Sequence, residues 1–421
     1  MKKQLISLFI CMSFTLFAWK AGSVVAQWYD NKKDVCLTVF VHGSVYTMLS
    51  ALDAQRVWSG ALPKASPYVD MVKRVRKNPL IWQDQVMLKE GWVSFPQESI
   101  DNFYDKKLEG ACCQQAAYQF IPAYNAFSEL YKNNNEEQVY FLFGHLGLLC
   151  QNYRADAGVE LYNHICDTVA ELQKSYCHVR VRLVTHSHGG NIALNLARAE
   201  RLYNRKLVVD DLIMYGAPIQ VETAAYAYDP LFVRVINCYS EGDSIQSNDR
   251  FSTAQHKSYK RFYDEELVID RPETRTKIYD VRLLVNNNPK RFGHSNMWQL
   301  GRESKATDCL DPLPIAVITP VLLHALNGQL YDGHFDFNVV DEPGVFRTEL
   351  SEYQSKKSLL VSDNTYDKAC HLQQLIQNNW SPVDKSRMLL FNYQTGATLW
   401  QAFQDWRTGV DIESVDVQSA P

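Results

Sequence analysis

The chain has 421 residues, of which 46% are hydrophobic and 12% aromatic, so it holds enough apolar material for a large core. Its 43 basic and 47 acidic side chains leave a net charge of −4. This balance, without a long basic run, argues against a nucleic-acid-binding surface, and we expect no nucleic-acid partner. The length suits one large domain with an extension, or two domains.

The N-terminus has the pattern of a secretory signal. Met1-Lys2-Lys3 is basic, and residues 5–17 are almost wholly apolar. Lys20 interrupts this run before it reaches the ~20 residues that a membrane-spanning helix needs. Small residues then end at Ala26, so we predict that residues 1–26 are a cleaved signal peptide of an exported protein, which is periplasmic, secreted or on the surface. The alternative is an uncleaved N-terminal membrane anchor.

Export would permit disulfides among the cysteines of this chain. Of ten cysteines, Cys11 lies in the signal, and the odd remainder leaves at least one thiol unpaired. Cys36 and Cys238 lie in apolar, strand-like runs and are predicted to be small core residues. No Cys-x-x-Cys spacing occurs, so we expect no structural zinc site.

Short apolar or β-branched segments alternate with segments of helical periodicity. The predicted strands are residues 35–41, 138–143, 179–186, 208–215, 232–239 and 278–285. Helices are predicted at 154–171 and directly after Ser187, and residues 45–137 are predicted to be a largely helical insertion. This alternation predicts an α/β fold with a doubly wound, mostly parallel sheet and helices on both faces.

The rhythm changes after residue 305. We therefore expect a main domain at 27–305 and a C-terminal extension at 306–421, which is either an integral layer or a small separate domain. Within the extension, residues 315–326 form an apolar run that we expect to pack on the core. Residues 335–346 are predicted to be strands with a turn, and residues 389–406 a strand followed by an aromatic amphipathic helix.

Ser187 lies where a predicted strand meets a predicted helix. The segment Thr185-His186-Ser187-His188-Gly189-Gly190 is typical of a sharp strand-to-helix turn. Such a turn presents a serine hydroxyl and directs the first N–H groups of the helix to one point. A Cβ at Gly189 would collide across the turn, and Gly190 lets the helix approach the strand.

A serine nucleophile needs a base, and the base needs an acid to orient it. In doubly wound sheets these partners follow later strands at the same edge. Asp243 follows the strand at 232–239, and His294 follows the strand at 278–285. The order is nucleophile, acid, base. Other candidates for acid and base stay open, namely Glu241, Asp249 and Glu222, and His324 and His334.

Together these landmarks resemble the α/β-hydrolase superfamily, and within it the lipases and esterases, over about residues 35–300. The residues that carry the resemblance are His42-Gly43, Thr185-His186-Ser187-His188-Gly189, Asp243 and Gly293-His294. The resemblance implies that Ser187 is the nucleophile, Asp243 the acid and His294 the base. It also implies an oxyanion hole from the backbone N–H of His188 and that of Gly43 or Ser44, with no metal or organic cofactor.

The chain departs from this family at some points. Thr185 stands where most members have glycine, no convincing strands precede residue 35, and the insertion is long. His186 and His188 form a His-x-His pair that could bind a metal, but on such a turn their side chains are expected to diverge and to support the elbow.

We therefore hypothesise an exported serine hydrolase that cleaves carboxylic esters through an acyl-enzyme. Its partner is a small-molecule or lipid ester, and a lipid substrate implies transient contact with a membrane. The alternatives are a non-catalytic binding protein on a hydrolase scaffold and an acyltransferase that uses the same three residues.

Overall fold

The computed structural model describes residues 33–379, apart from gaps at 45–49, 51–52, 61, 78–85, 87–89, 106–114, 133–135, 250–252, 254–256, 270–274, 302–312, 328, 330 and 356. The predicted signal peptide and the elements predicted at 389–406 lie outside these residues. Within the described ranges, no helix combines the length and the apolar character of a transmembrane span.

The strands of the described residues, in chain order, are β1 Asp34–Val41, β2 Gly91–Phe95, β3 Glu136–Gly144, β4 Val179–His186, β5 Val209–Tyr215, β6 Ile219–Gln220, β7 Phe232–Tyr239, β8 Ser258–Tyr259, β9 Lys277–Val285, β10 Gly333–Glu342, β11 Val345–Glu352 and β12 Ser358–Val361. The α-helices are α1 Ala54–Trp58, α2 Pro67–Arg76, α3 Gln97–Tyr104, α4 Ala117–Ser128, α5 Gln151–Leu172, α6 His188–Leu194, α7 Leu196–Tyr203, α8 Val221–Ala224, α9 Ile245–Asn248, α10 Thr319–Asn327 and α11 Tyr366–Asn379.

Ten of these strands form one sheet in the order β12-β11-β10-β9-β7-β5-β4-β1-β3-β2. The strands from β10 to β3 in this order are parallel, and β2, β11 and β12 join antiparallel at the two edges. The doubly wound, mostly parallel α/β architecture predicted from the sequence is thus confirmed, and it is consistent with a hydrolase fold.

The central strands are continuously apolar because both of their faces are covered. In β1, Leu37, Val39 and Val41 enter one buried cluster, with α5 and α6, whereas Phe40 enters the cluster on the opposite face. Alternate side chains of a strand point to opposite faces, so each face of β1 builds one of the two cores. Cys36 and Cys238 are buried in their strands, as predicted.

The C-terminal extension contributes to this same sheet. β10 pairs in parallel with β9, and the apolar run predicted to pack on the core forms a short 3₁₀ turn, Ile315–Ile318, and the buried helix α10. The sheet therefore continues past residue 305, where we placed the end of the main domain. The predicted insertion holds helices α1 to α4 and also β2, a short edge strand without a clear signal in the sequence.

Candidate active site

Ser187 occupies the turn between β4 and α6 in an uncommon backbone conformation. Its φ of 52° and ψ of −129° lie in a region that non-glycine residues rarely adopt, and such residues concentrate at functional sites. Its N–H donates to the carbonyl oxygen of Tyr215 at the end of β5, at 2.8 Å, and its carbonyl accepts from the N–H of Gly190 at 3.0 Å. The neighbouring strand thus holds the turn in place.

Glycines allow three chain segments to meet at this turn. A Cβ on Gly189 would lie 2.5 Å from the carbonyl oxygen of His42, and one on Gly43 would lie 2.7 Å from the Cβ of Ser187. A Cβ on Gly190 would lie 2.8 Å from the Cβ of Ala217. The end of β1 therefore presses directly on the Ser187 turn, and the loop of Gly43 and Ser44 passes beside the serine.

Thr185 precedes this turn and is fully buried. Its hydroxyl donates to the carbonyl oxygen of Ile213 on β5, at 3.0 Å. A threonine is therefore accommodated here, since the neighbouring strand satisfies its hydroxyl group.

Asp243 and His294 are directly bonded, although 51 residues separate them in the chain. The distance from His294 Nδ1 to Asp243 Oδ2 is 2.7 Å. Asp243 is fully buried, and its Oδ1 accepts from the N–H groups of Ile245 and Gln246 at 2.9 and 3.3 Å. Because the carboxylate only accepts, Nδ1 of His294 carries the proton and Nε2 is the basic nitrogen.

The Asp243–His294 pair lies at the same sheet edge as Ser187. Gly216 directly follows Tyr215, whose carbonyl oxygen accepts a hydrogen bond from the Ser187 N–H. A Cβ on Gly216 would lie 3.1 Å from Asp243 Oδ2 and 3.2 Å from His294 Nδ1. The Ser187 turn and the Asp243–His294 pair therefore both lie at the end of β5.

The loops that carry the acid and the histidine are fastened to each other. The hydroxyl of Ser240 lies 2.9 and 2.7 Å from the carbonyl oxygens of Pro289 and Phe292. A Cβ on Gly242 would lie 2.5 Å from the carbonyl oxygen of Lys290. Sequence reasoning missed Ser240, Gly242 and also Gly216, since nothing in the sequence shows which loop each will touch.

The other acid candidates have partners elsewhere. Glu241 contacts the guanidinium of Arg282 at 2.6 Å, and Glu222 accepts from a threonine hydroxyl at 2.7 Å. Asp249 lies 3.3 Å from Nε2 of His188. Of the four acidic candidates, Asp243 is the one bonded to His294.

The other histidine candidates are also engaged away from Ser187. His324 stacks on Tyr131, with 4.4 Å between ring centroids. Nε2 of His334 lies 2.5 Å from the hydroxyl of Tyr239. Neither ring contacts Asp243.

His186 and His188 diverge across the elbow. The His186 ring stacks on Trp298 at 5.6 Å, and its Nε2 lies 3.1 Å from the carbonyl oxygen of His294. His188 turns instead toward Asp249. Burial lowers the pKa of His186 well below its usual range and that of His188 to about 3, so both rings are neutral supports at neutral pH.

No family model and no curated protein matches this chain. The solved structures similar to it include one described as "the putative cell surface hydrolase from Lactobacillus plantarum WCFS1". The two are 13% identical over 73% of this chain and 81% of the other, with a TM-score of 0.22. At this low similarity, any assignment of function depends on the geometry of the site itself.

Proposed function

We propose that this protein is a serine hydrolase that cleaves carboxylic esters through an acyl-enzyme, with Ser187 as nucleophile, His294 as base and Asp243 as acid. One observation carries the proposal. The pair of the buried Asp243 and the half-buried His294, with 2.7 Å between Oδ2 and Nδ1, lies at the strand end that anchors the Ser187 turn. A carboxylate, an imidazole and a hydroxyl at one sheet edge are the groups that acyl transfer requires.

The proposed reaction begins when the Ser187 hydroxyl attacks the ester carbonyl and its proton passes to Nε2 of His294. Asp243 fixes the tautomer of His294 and stabilises the imidazolium while remaining ionised. His294 then gives this proton to the departing alcohol. The acyl group remains on the oxygen of Ser187 as the acyl-enzyme. Water, deprotonated by His294, then releases the acid and restores Ser187.

The charge that develops on the carbonyl oxygen needs backbone donors in the proposed mechanism. We assign these to the N–H of His188, at the start of α6, and to the N–H of Gly43 or Ser44. The closeness of Gly43 to Ser187 supports this assignment. Losing one such donor typically lowers turnover by about 10²- to 10³-fold.

The substrate class and the location belong to the proposal as well. Esters, most simply of a lipid or another acyl group, follow from the resemblance to lipases and esterases. Export follows from the signal-like pattern of residues 1–26. Lipid esters would bring the enzyme into transient contact with a membrane.

Hydrolysis of p-nitrophenyl esters from acetate to palmitate tests the proposal. We expect activity in the wild type and a near-complete loss in Ser187→Ala, while Ser175→Ala, at an exposed turn, keeps full activity. The profile over chain length separates an esterase from a lipase, and added alcohol reveals acyl transfer as a new ester product. A fluorophosphonate should label Ser187. A wild type without hydrolysis or labelling would point to a non-catalytic binding protein instead.

A further inference from the structure

Arg76, at the end of α2, is a buried cation with no ion-pair partner among the described residues. The residue as a whole is only 3% exposed. Neither Nη1 nor Nη2 makes a hydrogen bond within the described part of the chain. Arginine is rarely buried unless it is paired, because an uncompensated charge is costly to remove from water.

Other buried arginines of this fold show the usual solution. Arg182 pairs with the fully buried Asp211, and Arg282 pairs with Asp336. Burial lowers the pKa of Arg76 to about 10, and the exposed carboxylate of Glu90 opposes this effect only in part. Arg76 is therefore set apart from the arginines that stabilise the sheet.

The surroundings of Arg76 connect it to the proposed oxyanion loop. The buried rings of His42 and His145 stack with centroids 4.0 Å apart, and the charge of Arg76 contributes to lowering the pKa of both. Nδ1 of His42 donates to the carbonyl oxygen of Gly43 at 2.7 Å. A Cβ on Gly43 would lie 2.7 Å from the Cβ of Ser187, so His42, which feels the charge of Arg76, is bonded to the residue beside the nucleophile.

The histidine pair does not neutralise Arg76. The N–H of Gly147 donates to Nδ1 of His145, so Nε2 of this ring donates to the carbonyl oxygen of His42. Burial lowers the pKa of His145 to about 3 and that of His42 well below its usual range, so both rings are neutral. The Oγ of Ser44, two residues after His42, is also buried and has no hydrogen-bond partner among the described residues.

We infer that Arg76 binds an anionic group of the substrate, a carboxylate or a phosphate, with the hydroxyl of Ser44 as a second donor. The substrates would then be acidic esters. The planar guanidinium fork matches both kinds of anion. This inference rests on the proposed ester hydrolysis, since it places the anion beside the loop that would hold the reacting carbonyl.

Matched pairs of esters test the inference. On the acyl side, p-nitrophenyl hemisuccinate is compared with p-nitrophenyl butyrate. On the alcohol side, 4-carboxyphenyl butyrate is compared with phenyl butyrate. We expect the wild type to favour the anionic ester in one pair, and Arg76→Gln to lower the anionic-to-neutral ratio of kcat/KM by about 10- to 100-fold. The ratio of Arg76→Lys should lie between those of the wild type and Arg76→Gln. Arg347→Gln, which removes the same charge at a remote site, should keep the wild-type ratio.

Stability separates a binding role from a structural one. Because Arg76→Gln removes an unpaired buried charge, we expect its Tm to equal or exceed that of the wild type. An arginine that held the fold together would show the opposite, a marked fall in Tm. Such a fall, or a ratio that survives Arg76→Gln, would overturn the inference.

A binding measurement keeps the test independent of hydrolysis. We expect glutarate or inorganic phosphate to raise the Tm of Ser187→Ala, and the more effective anion identifies the preferred group. The increase should vanish when Arg76→Gln is added. If Ser187 hydrolyses neutral esters but neither anion raises the Tm and neither ester pair shows a preference, the inference fails while the proposed function stands. If Ser187 is inert but the anions bind through Arg76, the proposed function fails instead.

Discussion

Arg282, on β9, forms a two-pronged ion pair with Asp336, on β10, with both N–O distances at 2.8 Å. Its remaining Nη1 reaches Glu241, two residues before Asp243, at 2.6 Å. The C-terminal extension, which supplies Asp336, is thereby tied to the loop that carries the proposed catalytic acid. The extension thus takes part in holding the site as well as in widening the sheet.

Replacing Arg282 should destabilise the protein strongly. Arg282→Met leaves the buried carboxylate of Asp336 without its cation, which typically costs about 3–5 kcal/mol of unfolding free energy. Urea unfolding measures this loss, and Arg282→Lys should recover part of it. Arg205→Met, which leaves the exposed carboxylate of Asp167 in water, should cost less than about 1 kcal/mol. Equal losses for Arg282 and Arg205 would contradict this account of the ion pair.

Two neighbouring acids should differ sharply in their effect on catalysis. Asp243→Asn leaves the size of the side chain but removes the charge that orients His294, and we expect kcat to fall by about 10⁴-fold. Glu241→Gln is the matched control, because Glu241 contacts Arg282. It should change kcat by less than about 10-fold. A larger loss for Glu241→Gln than for Asp243→Asn would move the role of the acid to Glu241.

Two adjacent glycines should tolerate alanine unequally. In Gly189→Ala the new Cβ meets backbone oxygens of Val41 and His42 at 2.6 and 2.5 Å, which cannot move without shifting β1. In Gly190→Ala the close atoms belong to side chains, including Met214, which is flexible. We expect Gly189→Ala to lower unfolding free energy by about 3 kcal/mol or more and Gly190→Ala by less. Thermal or urea unfolding of the two variants shows which of them loses more unfolding free energy.

Stability should fall as the pH drops from about 6.5 towards 3. Burial lowers the pKa values of four histidines, His42, His145, His186 and His188. The pKa of His145 falls to about 3. The unfolded chain, with histidine pKa near 6.5, binds more protons in this interval, so acid favours unfolding by up to about 1.4 kcal/mol per pH unit for each ring. Above about pH 6.5 the contribution of these four rings to stability is fully present.

The slope can be checked by urea unfolding at pH 7, 6 and 5. His145→Gln should reduce the loss between pH 6 and 5 by up to about 1.4 kcal/mol. His324→Gln, at an exposed side chain, serves as the control. An unchanged slope in His145→Gln would mean that this ring is not kept neutral by the fold.

The sequence alone determined the central parallel strands of the sheet and the place of each candidate residue along the chain relative to them. Continuous apolar runs such as β1 and β4 arise because parallel strands are buried on both faces, and this is visible without coordinates. The turn at Ser187 was also predictable, because its glycines satisfy a local steric need. β2 was not, since a five-residue edge strand is stabilised by its partner β3 rather than by its own pattern.

Only the tertiary structure decided which side chains meet. Asp243 and its rival Glu241 share one loop in the sequence, and the direction in which each points depends on Arg282 and His294, which lie on later segments. The sequence also left the extension as either a layer or a separate domain, and the pairing of β10 with β9 makes its strands part of the sheet. Contacts between distant segments depend on packing of the whole chain, so local patterns indicate the elements but not their partners.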